Sequence, residues 1–166
     1  MPNLRLIIAL LMVATMPALQ AQKSIPDVNL KSLDGKTVKI SDLTKNGKIT
    51  VLSFWATWCS PCKKELDAVA DLYPEWQKDY NMQMIAITVD DSRSLIKVKP
   101  MVTEKGWEYI VLSDVNKELQ TALNFQTVPQ TFLLDSSGQI VWSHSGYNPG
   151  DEFELEEKIK KLKEKM

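Results

Sequence analysis

The chain has 166 residues, 44% of them hydrophobic and 25% charged, which is the composition of one folded globular domain and excludes a disordered, collagen-like or coiled-coil protein. Its 20 basic and 21 acidic residues give a net charge of −1, so the chain has nothing that would attract a nucleic acid as a partner. Two cysteines, Cys59 and Cys62, and one histidine, His144, are too few ligands for a structural zinc site. We therefore expect no bound metal and no other cofactor.

The first 21 residues have the pattern of a secretory signal peptide. Arg5 gives a positive start, an apolar run follows, and Pro17 breaks this run shortly before a cleavage site after Ala21. The apolar run is shorter than the roughly 20 residues of a membrane-spanning helix. We predict a signal peptide over residues 1–21 and one domain over residues 22–166. An N-terminal anchor that stays uncleaved is the alternative.

The first half of the domain contains the patterns of a hairpin, a buried strand and an amphipathic helix, in that order. Residues 28–40 alternate apolar and polar side chains on either side of the turn sequence Asp34-Gly35, and are predicted to form a β-hairpin. The nearly all-apolar run Ile49–Trp55 predicts a central strand that is buried on both faces. From Cys62 onward apolar residues recur with helical spacing, so a helix is predicted to begin at the cysteines.

The second half continues the alternation of strands and helices and closes with a hairpin and a helix. Strands are predicted over residues 84–89, 109–112, 131–134 and 139–143, and helices over residues 92–105, interrupted at Pro100, and 114–123, capped by Asp114. Asp151 and Glu154 have the spacing of a capping box at the start of the last helix. This order predicts an α/β domain whose mixed central sheet is flanked by helices.

The sequence Cys59-Ser60-Pro61-Cys62 stands where the buried strand gives way to the first long helix. Backbone N–H groups and the dipole at a helix N-terminus favour a thiolate, and lower a thiol pKa from about 8.5 to roughly 3.5–7.5. We therefore expect Cys59, with a partly exposed sulfur, to be the nucleophile, and Cys62 to be the thiol that resolves a mixed disulfide. The alternative is a structural disulfide, but closing so short a loop contributes only about 2 kcal/mol.

Glu65 follows Cys62 by three residues and is expected beside it on the same face of the helix. Burial there would raise the carboxyl pKa toward neutrality, which suits a group that passes protons to and from the resolving sulfur. The alternative is a solvated glutamate that pairs with nearby lysines.

The pair Val128-Pro129 stands directly before a predicted strand. A cis peptide bond there would leave the backbone of Val128 free to pair with an extended substrate. An ordinary trans proline that opens a strand is the alternative.

Three segments together resemble the exported thioredoxin-like proteins of the TlpA/ResA type: Phe54–Glu65 around the cysteines, Val128-Pro129, and Leu33–Lys36 in the hairpin. The likeness covers residues 25–165. It implies a thioredoxin fold with an added N-terminal β-hairpin and an inserted strand and helix. It also implies the activity of a thiol-disulfide oxidoreductase, whose redox-active disulfide is Cys59–Cys62.

The resemblance further implies roles for individual residues. Glu65 is the acid used in place of the buried aspartate of thioredoxin, and Pro129 is the cis-proline. The residues expected to bind substrate are Trp58, Ser60, Pro61, Val128 and Pro129. The chain departs from these relatives at two positions, since Ser53 stands where thioredoxin has its aspartate, and Asp67 stands where a proline is common.

Together these observations predict a monomeric periplasmic reductase that acts on the disulfides or thiols of protein substrates and receives electrons from a membrane thiol donor. A disulfide-forming oxidase or isomerase is an alternative, because oxidants and reductants share this motif. A copper-binding redox module would use Cys59, Cys62 and His144. A peroxiredoxin is disfavoured, because Ala56 and Leu52 stand where that class has threonine and proline. A redox-inert peptide-binding domain is the last alternative.

Overall fold

The computed structural model describes residues 23–166. These residues form seven strands and five α-helices, in the alternating order that the sequence predicts. The strands are β1 Asn29–Ser32, β2 Thr37–Lys39, β3 Ile49–Trp55, β4 Met82–Thr88, β5 Ile110–Ser113, β6 Gln130–Leu134 and β7 Ile140–Ser145. The helices are α1 Ile40–Thr44, α2 Ser60–Tyr80, α3 Val98–Lys105, α4 Glu118–Leu123 and α5 Asp151–Lys163. The predicted signal peptide over residues 1–21 lies outside the described residues.

The strands form one mixed sheet in the order β2-β1-β5-β4-β3-β6-β7. Strands β3, β4 and β5 run parallel to one another, and the other neighbouring pairs are antiparallel. The predicted α/β fold with an N-terminal hairpin is confirmed. Strand β5, which lies between β4 and β6 in the chain, is the inserted strand, and the hairpin extends the sheet by pairing with it. No helix of residues 23–166 has both the length and the apolar character needed to cross a membrane.

Strands β3 and β4 occupy the centre of the sheet because their side chains are mostly apolar on both faces. Every residue of these two strands is buried. Aromatic rings pack against the last two residues of β3. Phe54 is edge-on to Phe125 at a centroid distance of 4.7 Å, and Trp55 is edge-on to Trp107 at 5.2 Å. The strand that leads into the cysteines is therefore held from both sides.

The residues on which the site depends lie at one edge of the sheet, where β3 and β4 end. Parallel strands β3 and β4 pair Trp55 with Thr88 at their carboxyl ends, so the segments that follow the two strands emerge side by side. Strand β6 runs in the opposite direction and begins with Gln130 paired to Phe54, which brings Pro129 to the same edge. In open α/β sheets this edge is where reacting groups gather.

Two helices of the second half differ from their predicted form. The helix expected over residues 92–105 is a short 3-10 helix, Leu95–Lys97, followed by α3. Pro100 does not interrupt α3 but lies in its first turn, where a backbone N–H has no partner within the helix. Asp114 does cap α4, but from four residues before it, because its two carboxylate oxygens accept hydrogen bonds from the N–H groups of Glu118 and Gln120 at 2.8 Å each.

The capping box predicted at the start of α5 is wrong. Gly150 is the N-cap residue, and its φ of 109° lies in the region that favours glycine. Asp151 is therefore the first residue of the helix. Gly150 has no side chain to cap the first turn of α5, and its own N–H donates a hydrogen bond to the carboxylate of Glu152 at 2.9 Å. The carboxylate of Asp151 instead contacts the imidazole of His144 on β7, at 3.1 Å from Nε2.

Candidate active site

Cys59 and Cys62 form a disulfide at the N-terminus of α2. Cys59 is the N-cap residue, and its Sγ accepts a hydrogen bond from the backbone N–H of Cys62 at 3.3 Å. Cys62 is fully buried and Cys59 is 4% exposed, so the expectation of a partly exposed sulfur on Cys59 is wrong for this disulfide-bonded form.

The loop that precedes Cys59 is held by Asp90, which lies just beyond β4 and is fully buried. Its carboxylate accepts hydrogen bonds from the backbone N–H and the hydroxyl of Thr57, both at 2.8 Å, and from the hydroxyl of Thr88 at 2.6 Å. Asp90 was not predicted from the sequence. The signal that could have identified it is a carboxylate directly after the second buried strand, at the edge where the cysteine loop emerges.

We expect the substitution Asp90→Ala to lower the free energy of unfolding by about 3 kcal/mol, because it leaves a buried N–H and two buried hydroxyls without their acceptor. Urea unfolding of the oxidised protein measures this loss. Asp91→Ala is the matched control, since the neighbouring carboxylate is exposed and caps only the local turn at Ser94. Equal destabilisation by the two substitutions would contradict the anchoring role of Asp90.

The predicted substrate-binding residues differ in exposure. Ser60 and Pro61 are exposed at the start of α2, and the indole of Trp58 is 68% exposed beside the cysteines. Val128 is half-buried and Pro129 is buried, and the peptide bond between them is cis, in agreement with the resemblance. All five residues lie at the same edge of the sheet as the disulfide. Trp58 is the most exposed aromatic side chain at this edge.

The side chain of Glu65 points into the interior, where it is 5% exposed. Its Oε1 accepts a hydrogen bond from the hydroxyl of Thr131 at 2.6 Å, and its Oε2 accepts one from the hydroxyl of Ser53 at 3.2 Å. Burial raises the pKa of Glu65 from 4.5 to about 7, although the two hydroxyls and the charge of His144 act in the opposite direction. The alternative of a solvated glutamate is therefore wrong. Ser53 contributes a hydroxyl to this carboxyl group from the position where thioredoxin has its aspartate.

The side chains of Lys63 and His144 bind groups other than the cysteine sulfurs. The ammonium group of Lys63 donates a hydrogen bond to the carbonyl oxygen of Thr57 at 3.1 Å. His144 contacts Asp151, and residues 23–166 contain no group of three or more histidine, cysteine, aspartate or glutamate side chains arranged to hold a metal ion. The copper site that would combine His144 with the cysteines is not formed by this geometry.

A family model described as AhpC/TSA matches residues 21–143. The chain belongs to the AhpC/TSA family. Its relatives include the thiol-disulfide oxidoreductase ResA of Bacillus thuringiensis (strain Al Hakam), which is 32% identical over 123 residues that cover 74% of this chain and 68% of the relative. The ResA of Bacillus cereus (strain ATCC 10987 / NRS 248) is 31% identical over 140 residues, covering 84% of this chain and 77% of the relative.

A solved structure of this thioredoxin-like group is also similar. The solution structure of an uncharacterized thioredoxin-like protein from Porphyromonas gingivalis superposes with a TM-score of 0.75 at 40% identity, covering 84% of this chain and 92% of that one. The thioredoxin-like fold and the resemblance to ResA are thereby confirmed. Within the AhpC/TSA family, the chain is an enzyme of the thiol-disulfide oxidoreductase group.

Proposed function

We propose that the protein is an exported reductase of protein disulfides that works in the periplasm as a monomer. The export signal is the segment over residues 1–21, and the catalytic domain follows from residue 22. The substrates are proteins that carry disulfides or thiols. A thiol protein of the membrane returns electrons to the cysteine pair after each turnover.

The proposed mechanism is a two-step exchange. The thiolate of Cys59 attacks a substrate disulfide, forms a mixed disulfide and releases one substrate thiolate. Cys62 then loses its proton to Glu65 and attacks the Cys59 sulfur, which breaks the mixed disulfide and releases the second substrate thiolate. Two electrons have passed to the substrate, the two released thiolates take up two protons, and the Cys59–Cys62 disulfide has formed.

The observation that carries this proposal is the buried carboxyl of Glu65 on the turn of α2 that follows Cys62. A group that accepts a proton from one thiol and later gives it back works best when its pKa is near the working pH. The pKa of about 7 for Glu65 meets this condition. A disulfide that served only as a structural crosslink would not need a carboxyl group of this kind beside it.

Charge around the cysteines supports a reductase over an oxidase. Strong thiol oxidants are those whose reduced form is stabilised, usually by positive groups near the thiolate. Here Lys63, the cationic side chain next to Cys62 in sequence, is bound to the carbonyl of Thr57. Glu65, once ionised, opposes a second negative charge on Cys62. The carboxylate destabilises a thiolate on Cys62, and the bound ammonium group of Lys63 does not pair with it, so the charges favour a pair that gives up its electrons.

The backbone at Val128 supports the proposed mode of substrate binding. Within residues 23–166, neither the N–H nor the carbonyl of Val128 has a hydrogen-bond partner, whereas the carbonyl of Pro129 accepts from the N–H of Gly146 at 2.9 Å. An extended segment of substrate would therefore pair with Val128 in the manner of an added strand. The exposed indole of Trp58 would cover the apolar side chains of that segment.

The reduction potential of the Cys59–Cys62 couple tests the proposed direction. We expect a value near about −270 mV or lower, which is the range of thioredoxin-like reductants. The oxidised domain is equilibrated in thiol buffers of known potential, and the dithiol fraction is measured by thiol trapping and by tryptophan fluorescence. A potential near about −120 mV would mean that the protein introduces disulfides, and would overturn the proposal.

A further inference from the structure

A narrow cavity lies next to Glu65, and neither cysteine lines it. Its volume is about 10 Å³, which is room for roughly one water molecule. The carboxyl of Glu65 and the hydroxyl-bearing Thr131 form part of its wall, and His144, Tyr147 and Asp151 form another part. Through the cavity, a buried carboxyl therefore faces polar side chains that belong to β7, to α5 and to the loop between them.

The register of the sheet explains why His144 faces Glu65. His144 on β7 is paired directly with Thr131 on β6, so the two side chains project from the same face. The hydroxyl of Thr131 donates its hydrogen bond to Glu65. The imidazole of His144 is thus the neighbour of the group that holds the Glu65 carboxyl.

His144 and Asp151 link this cavity to solvent. Nε2 of His144 lies 3.1 Å from Oδ2 of Asp151, and their side chains are 31% and 25% exposed. The imidazole is stacked on Trp142 with an angle of 2° between the planes, and the backbone N–H of Asn148 donates to the same Asp151 oxygen at 2.7 Å. The ring is held in place by these contacts, and among residues 23–166 its other nitrogen, Nδ1, has no hydrogen-bond partner.

We propose that the His144–Asp151 pair is the proton exit of the active site and carries protons between the Glu65 carboxyl and solvent. This inference rests on the proposed role of Glu65. When Cys62 has given its proton to Glu65, the proton passes through one water of the cavity to His144, and Glu65 becomes a carboxylate again. Asp151 stabilises the imidazolium until the proton leaves to solvent. The reverse path reprotonates Glu65 when the cysteines are reduced, and no electron moves in either step.

Other ionisable groups near Glu65 act on its pKa or have hydrogen-bond partners besides His144. Asp151 acts on Glu65 from α5 and raises its pKa, and His144 acts from β7 and lowers it. The hydroxyl of Tyr147 donates to Glu152 at 2.8 Å, and the hydroxyl of Tyr109 donates to a backbone carbonyl of α2. Removing the imidazole therefore raises the pKa of Glu65 and moves the pH profile, whereas loss of a proton path lowers the rate itself.

The experiment compares His144→Phe, which keeps a ring for the stack on Trp142, with Tyr147→Phe, which removes a hydroxyl from the same cavity. The full chain in its reduced form is mixed with a disulfide-bonded peptide, and the rate of resolution of the mixed disulfide is followed by tryptophan fluorescence between pH 5 and 9. We expect His144→Phe to slow resolution by about tenfold near pH 7, less than the roughly 100-fold contribution of a group that exchanges a proton with the reacting sulfur directly. We expect Tyr147→Phe to leave the rate unchanged.

Two further measurements separate a proton path from a structural role. Imidazole added to His144→Ala should restore the rate in proportion to its concentration, because the free ring can enter the space left by the side chain. The reduction potential at about pH 5, where Glu65 is protonated with or without His144, should stay that of the unchanged protein, since a proton path alters a rate and not an equilibrium. A slow variant that imidazole does not rescue would show that His144 only supports the fold, and would overturn the inference.

Glu65→Gln distinguishes failure of this inference from failure of the proposed mechanism. If Glu65→Gln slows resolution and His144→Phe does not, Glu65 handles the proton but releases it by another route, and only the inference fails. If Glu65→Gln resolves the mixed disulfide as fast as the unchanged protein at every pH, the proposed role of Glu65 fails, and the proton exit fails with it.

Discussion

Substituting Cys62→Ser is expected to lower turnover by about 10³-fold or more and to accumulate a covalent complex between Cys59 and the substrate. Cys59 keeps its place as N-cap of α2, where the backbone N–H groups of the first turn favour its thiolate. The first exchange therefore still occurs. A serine hydroxyl is too weak a nucleophile to displace the substrate, so the mixed disulfide persists. Non-reducing electrophoresis and intact mass measurement detect the complex, and added dithiothreitol should release it.

The matched control is Cys59→Ser, which should form no complex and should lose activity to the same extent. Cys62 is fully buried, so a substrate sulfur cannot reach it without opening the start of α2. A complex trapped on Cys62 in the Cys59→Ser protein would mean that the roles of the two cysteines are reversed. It would also make the position of Glu65 beside Cys62 unsuited to the step that it is proposed to assist.

The cysteine site was predictable because its geometry is local. Ile49–Trp55 reads as a buried strand, and the cysteines follow it at the start of a helix, so the N-terminal position of Cys59 depends on neighbouring residues alone. Glu65 follows from the same helix, since three residues after Cys62 is the same face. These features needed no knowledge of how distant parts of the chain meet.

The partners of Glu65 were not predictable, because they depend on the register between strands. Ser53 and Thr131 reach the carboxyl from β3 and β6, where they are paired with each other. A shift of one residue in that pairing would turn Thr131 to the opposite face. The position of His144 depends in the same way on the register between β6 and β7. Residue types alone carry no signal for such alignments.

Asp151 shows a local pattern overridden by a tertiary contact. Its spacing to Glu154 fits a capping box, yet the helix begins at Asp151 itself because Gly150 turns the chain one residue earlier. The carboxylate, no longer needed as a cap, contacts His144. Asp90 is a similar example, since the three hydrogen bonds from Thr57 and Thr88 that it accepts exist only where the ends of β3 and β4 meet.

Glu65→Gln is expected to make the oxidised protein more stable than the unchanged chain at high pH and not at low pH. Folding raises the pKa of Glu65 from 4.5 to about 7, a difference worth about 3 kcal/mol. Below about pH 4.5 the carboxyl is protonated in both folded and unfolded states and does not lower the free energy of unfolding. Between about pH 4.5 and 7 the folded state binds more protons, so its stability falls as the pH rises. Above about pH 7 the full cost of a buried carboxylate is present.

Glutamine removes this cost because it has the shape of the protonated acid and never ionises. Its carbonyl oxygen can accept from Thr131, and its amide group can donate to Ser53, so the hydrogen bonds of the site are kept. Urea unfolding at pH 4 and at pH 8 measures this effect. Between these two pH values, the free energy of unfolding of the variant should rise by about 3 kcal/mol relative to that of the unchanged protein.

Glu75→Gln is the matched control for this measurement. Glu75 lies on the same helix as Glu65 but is exposed, so its substitution should leave the pH dependence of stability unchanged. If Glu65→Gln behaved like Glu75→Gln, the carboxyl of Glu65 would titrate in the folded protein as it does in water. A carboxyl that is already ionised well below neutral pH would be a poor proton acceptor for Cys62, and the acid-base part of the proposed mechanism would have to be abandoned while the two-cysteine exchange stayed intact.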